Sequence, residues 1–196
     1  SMAVHHITEK MVAERPAFTE APEYAAIKNL FEHPDTVAVA HNAAFDIGML
    51  SREGIVPLHT ICTYKVVCAL DTANELEQYK LQYLRYYFGL EIEANAHDAM
   101  GDVVILEAVF EHLLAWLMER TGSEEAALAE MVAISERPML YTTIRFGKYR
   151  GKRIEEVMQT DSNYLEWLLR EKKKDPAGET DWIYTLEHYL GTGSKV

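Results

Sequence analysis

His97-Asp98-Ala99-Met100-Gly101-Asp102 stands at the head of an apolar run that reaches Arg120. On one straight helix, five steps of about 100° leave the His97 and Asp102 side chains about 140° apart. They converge more readily if His97 sits just outside the helix and Asp102 in its first turns, with Asp98 as the N-cap. An imidazole over a carboxylate beside a helix N-terminus is an arrangement able to hold a divalent metal and activate a water. An Asp near a helix start is also common for structural reasons, because it suits the macrodipole. A second carboxylate in a similar setting is needed to favour chemistry.

Thr36-Val37-Ala38-Val39-Ala40 supplies that setting. Its short, β-branched, apolar character predicts a strand buried on both faces, hence in a parallel sheet. His41-Asn42 end it, with Asn42 as the expected cap of a helix from Ala43 to Arg52 that Gly54 stops. Asp46 then lies just beyond the carboxyl end of a strand, where ligands gather in open α/β sheets.

Further strand and helix signals follow in order. Leu58 to Thr63 reads as a weaker strand, and Tyr64 to Leu70 and Lys80 to Phe88 read as helices. The aromatics from Tyr79 to Phe88 are expected in packing rather than as base-stacking platforms. Met100, Val103, Val104, Leu106, Val109, Leu113 and Leu117 form one wide apolar stripe expected to be buried. Ser123 is a plausible cap for a helix from Glu124 to Ser135. Arg137-Pro138 marks a composition shift and a candidate domain boundary, giving units at residues 1–136 and 137–196. In the second, Leu140 to Phe146 reads as a strand, followed by a Gly-bracketed turn and three helical stretches, an α+β module.

The 196 residues are 48% hydrophobic and 26% charged, an ordinary composition with room for one good core or a core plus a small module. No apolar run is long enough to span a membrane, so no membrane partner is expected. Cys62 and Cys68 have neither metal nor redox spacing and read as buried thiols of a cytoplasmic protein. The net charge of −12 looks hostile to nucleic acid, but it divides into −14 over residues 1–136 and +2 over 137–196. Arg145 to Arg153 carries five cations and no acid. A polyanion would dock on such a loop. An ordinary solvated hairpin is the alternative.

These residues resemble the DEDDh (DnaQ-like) class of 3′→5′ exonucleases, the family of the proofreading subunit of bacterial DNA polymerase III. His41-Asn42-Ala43-Ala44-Phe45-Asp46 is similar to its second exonuclease motif, and His97 with Asp102 to its third. His5-His6-Ile7-Thr8-Glu9 is similar to a segment between the first and second motifs. The stretches Thr142 to Lys152 and Asn163 to Leu168, with Ile61 to Lys65, resemble exodeoxyribonuclease X-type enzymes.

The resemblance implies an α/β fold, a truncated ribonuclease H-like domain with a small C-terminal module. It implies a two-metal site of Mg²⁺ or Mn²⁺ that hydrolyses phosphodiester bonds at DNA 3′ ends, single- or double-stranded. Asp46 and Asp102 would be metal ligands, and His97 the general base. The backbone at His41 and Asn42 would border the terminal nucleotide. Lys148, Arg150, Lys152 and Arg153 would contact DNA phosphates. The family's first motif, Asp-x-Glu, does not occur before Asp46, so two of four carboxylates are missing from this sequence. Little or no nuclease activity is therefore expected of the polypeptide as given. A non-catalytic nucleic-acid-binding or interaction protein on the same fold is the other reading. The first strand, the family neighbour of the strand at Val37, is also missing, and pairing of that edge with a second copy of the chain is expected.

Overall fold

The structure is a computed structural model that describes residues 8–92, 99–175 and 179–193. The described residues open with a short helix α1 (Glu9–Val12). Helix α2 (Tyr24–Phe31) is fastened to the turn at Glu53–Val56. The Tyr24 hydroxyl donates to the Glu53 carbonyl at 2.7 Å, Lys28 donates to the Gly54 carbonyl, and Glu32 accepts from the Val56 N–H at 3.1 Å.

Strand β1 (Val37–Ala40) leads into α3 (Ala44–Arg52), then strand β2 (His59–Cys62) and α4 (Thr63–Leu70). β1 and β2 run parallel, with Val37 opposite His59 and Ala40 opposite Cys62. Among the described residues these two strands make up the whole sheet, so the other edge of β1 is unpaired there. The expected burial of β1 on both faces is only partly met. Ala38 is buried, whereas Val37, Val39 and Ala40 are half-buried. The Asn42 cap is also corrected. Asn42 stands at φ +63° and makes no cap, because Asn tolerates the left-handed region that turns the chain from strand to helix. At Gly54, with φ +74°, glycine ends α3 as expected.

After α5 (Leu81–Tyr87) comes the long helix α6 (Ala99–Thr121), then α7 (Glu124–Glu136). Ser123 caps α7, accepting the Ala126 N–H at 3.2 Å. The buried line of α6 is Ile105, Val109, Leu113 and Leu117, a strict four-residue spacing on one face. All four are fully inaccessible and meet α4, α5 and α7. The front of the expected stripe is not buried: Met100 is 66%, Val103 53% and Val104 41% exposed. Ser135 links α7 to the sheet. Its hydroxyl donates to the Met131 carbonyl and accepts the Cys62 N–H at 2.8 Å.

The remaining helices are α8 (Ile154–Thr160), α9 (Ser162–Lys174) and α10 (Thr180–Gly193). They enclose a second apolar cluster of Ile144, Ile154, Val157, Leu165, Leu168 and Leu186. The strand expected at Leu140 to Phe146 is reduced to a single antiparallel bridge, Thr143 opposite Arg153. Gly147 (φ +63°) and Gly151 (φ +84°) fold the intervening turn so tightly that Ile144 exchanges hydrogen bonds with Gly151 and Lys152. No described helix is long and apolar enough to cross a membrane.

Candidate functional site

The His41–Asn42 turn leaves β1 at the carboxyl end of the parallel pair. Three contacts pin it there. The His41 ring places Nε2 2.7 Å from the Tyr79 carbonyl and Nδ1 2.9 Å from the Thr63 hydroxyl. The Ala43 N–H points at Cys62 Sγ, 3.4 Å away. A carbonyl only accepts, so Nε2 carries the proton and donates to Tyr79. Burial pushes the His41 pKa below its ordinary 6.5, against the opposing pull of the Tyr79 hydrogen bond. The neutral ring then leaves Nδ1 an acceptor, and it shares the Thr63 hydroxyl proton with the Ala40 carbonyl, 3.3 Å from that hydroxyl.

From this turn Asp46 projects in the first turn of α3, and Asp102 lies in the first turn of α6. Both are exposed. Asp102 Oδ1 accepts from Gln82 Nε2 on α5 at 3.1 Å. The proposed base His97 and the proposed cap Asp98 lie outside the described residues, as does the segment His5 to Ile7. Mg²⁺ and Mn²⁺ take hard oxygen donors, which Asp46 and Asp102 are. Among the described residues, however, no three His, Cys, Asp or Glu side chains converge to hold a metal ion. The described donor set does not make up a two-ion site.

The basic loop divides in two. Lys148 turns away to Asp161, 3.1 Å from its Oδ2, and lies over the Tyr149 ring. Asp161 is the N-cap of α9 and also accepts from the Tyr149 hydroxyl at 2.7 Å. The Tyr149 hydrogen bond foremost, then that of Lys148, lowers its pKa. Lys152 is exposed. Arg150 and Arg153 instead line a cleft of about 800 Å³ between the turn and the 74–80 segment. Arg145 and Lys80 line it too. Arg153 also pairs with Glu155 at 3.6 Å, both side chains being more than half exposed.

Lys80 was not legible as a member of this group, because its partners lie more than sixty residues away. Arg145 was visible only as one cation of the run. Its guanidinium sits over the Tyr79 ring, 4.0 Å from the centroid, and donates to the Glu77 carbonyl at 3.4 Å. Tyr79 meets Tyr64 edge to face at 5.7 Å, and Tyr64 meets His41 in the same way at 5.7 Å. Burial raises the Tyr64 pKa to about 12, so it remains a neutral phenol. The cleft and the His41 turn thus share one aromatic wall.

Other contacts fix the cleft's two sides to each other. Lys65 pairs with Asp181 at 3.2 Å and donates to the Arg137 carbonyl at 2.9 Å. Asp181 accepts the Met139 N–H at 2.8 Å. Thr142 donates to Asn74 at 2.5 Å.

Comparison with known proteins matches the two parts separately and together. The exonuclease family model covers residues 1–110, and the exodeoxyribonuclease X-like C-terminal model covers residues 144–173. Exodeoxyribonuclease 10 of Escherichia coli K12 is 32% identical over 194 residues, 97% of this chain and 78% of that protein. The DNA polymerase III subunit epsilon of Treponema pallidum is 32% identical over 127 residues, 61% of this chain and 56% of that protein. No solved structure matches. The chain therefore belongs to the DnaQ-like exonuclease family, in the group that carries an exodeoxyribonuclease X-like C-terminal region.

Proposed function

We propose that this chain uses the exonuclease fold to engage the 3′ end of a DNA strand, in repair or proofreading. The reaction of the fold is 3′→5′ release of nucleotides by hydrolysis that depends on Mg²⁺ or Mn²⁺. The observation that carries the reading is the placement of the His41–Asn42 turn. It lies at the carboxyl end of the parallel strands, is followed at once by Asp46, and shares an aromatic wall with a cleft lined by Lys80, Arg145, Arg150 and Arg153. The turn borders the terminal nucleotide, and the cations neutralise phosphates behind it.

The 196-residue polypeptide itself binds without cutting. It holds Asp46 and Asp102 where the family uses four carboxylates, and two such groups, with or without His97, do not clamp two hard cations. The thiols Cys62 and Cys68 are free, which suits a reducing cytoplasm.

Calorimetric titration with Mn²⁺ tests the metal argument. Weak uptake that Asp46→Asn and Asp102→Asn leave nearly unchanged is expected. Saturable binding of two ions, lost in both variants, would show a working site and overturn the claim of inactivity.

A further inference from the structure

We infer that the cleft between the 74–80 segment and the Arg145–Arg153 turn is a track for the sugar–phosphate backbone of one unpaired DNA strand, leading toward the His41–Asn42 turn. This rests on the reading of the chain as a DNA-engaging exonuclease fold, and it adds which residues hold the strand and in what form.

Charge is the first argument. The chain as a whole carries −12, yet four cations from two distant stretches gather on this one concavity. Glu77 is the acid on its lining, and its backbone carbonyl, not its carboxylate, takes the Arg145 hydrogen bond. Lys80 and Arg150 are exposed and have no ion pair or hydrogen bond through their side chains among the described residues. Arg153 spends its charge on an exposed pair with Glu155, which a phosphate can displace at little cost. These are cations left available for an anion.

Shape is the second. Lys80 lines the cleft from the 74–80 segment, and Arg150 and Arg153 line it from the turn. A polyanion held by all three must enter the gap. A single strand does so, whereas a duplex, with a major groove alone about 12 Å wide, rides over the rim. An electropositive groove that follows the backbone is how unpaired strands are held without sequence preference.

The aromatic contribution is structural. Tyr79 is 6% exposed, covered by Arg145 and by Tyr64, so its face is not offered to a base. The grip is therefore electrostatic, without stacking, and salt-sensitive. The rings set direction instead, because the same wall ends at His41.

The test is fluorescence anisotropy of a labelled oligonucleotide with the full chain, in EDTA so that the probe stays whole. The triple variant Lys80→Ala/Arg150→Ala/Arg153→Ala removes exposed side chains only. The triple variant Arg52→Ala/Arg120→Ala/Lys173→Ala removes the same charge elsewhere. The cleft variant is expected to lose about tenfold or more in affinity for the single strand. Its plot of log affinity against log salt should be shallower by about 2, with the control variant close to wild type. The wild-type chain should favour the single strand over the duplex of the same sequence. Equal losses in both variants, no loss in the cleft variant, or tighter duplex binding would each overturn the track while leaving DNA binding in place. No binding of either DNA by the wild-type chain would remove the proposed function along with it.

Discussion

The Arg145 guanidinium lies 4.0 Å from the centroid of the Tyr79 ring. The pair joins residues 66 positions apart and holds the C-terminal turn against the loop that also receives the His41 imidazole. A planar cation over an aromatic face is attracted by the ring quadrupole, and partial burial strengthens the attraction.

Arg145→Ala should lower stability by about 1 kcal/mol, within the roughly 0.5–2 kcal/mol range of such contacts. Arg145→Lys should recover part of the loss. Urea unfolding followed by tryptophan fluorescence measures both. Equal midpoints for wild type and Arg145→Ala would show that the contact is incidental.

His41 gives a pH signature. Its folded pKa lies below the ordinary 6.5, so in that window the unfolded chain binds a proton that the folded chain refuses. The stabilisation from the neutral ring is present above pH 6.5 and is lost as pH falls through the lowered folded value. Between about pH 7.5 and about pH 5.5, the thermal midpoint should drop further in wild type than in His41→Gln. Parallel drops would contradict a buried, neutral His41.

The two ends of α6 should respond differently. Leu117 is fully buried, and Leu117→Ala should cost about 2–5 kcal/mol through lost burial and the cavity left behind. Met100 is 66% exposed, and Met100→Ala should stay within about 0.5 kcal/mol. Chemical denaturation of the two variants decides this, and a large loss at Met100 would mean that the front of the helix is covered in solution.

That contrast shows where the sequence was legible. The β-branched run at Val37, the cap at Ser123, the stop at Gly54 and the four-residue spacing of Val109, Leu113 and Leu117 are local signals that shaped the chain as expected, whereas fully buried Ile105 is missing from the expected stripe and half-buried Leu106 stands in it. Met100, Val103 and Val104 were expected inside because periodicity reports which residues share a face, not whether anything lies opposite. Asn42 was expected as a cap because capping and left-handed turns favour the same residue. As candidates, Asp46 and Asp102 were legible from motif spacing, and they stand in the first turns of α3 and α6. The convergence of Lys80 with Arg145, Arg150 and Arg153 was not, since long-range packing brings it about.

β1 offers an unpaired edge among the described residues, with half-buried Val37 and Val39 along it. Such edges pair with other strands. We propose that the chain forms a homodimer through it, so that sedimentation shows a mass rising with concentration and Val37→Pro reduces that rise. A monomer mass at every concentration would argue against edge pairing.

The most direct measurement incubates a 5′-labelled single strand with the purified chain in Mg²⁺ and, separately, in Mn²⁺, and follows both its retention and its length. The strand is expected to be held and to stay at full length. Stepwise, metal-dependent shortening from the 3′ end by this polypeptide would contradict it.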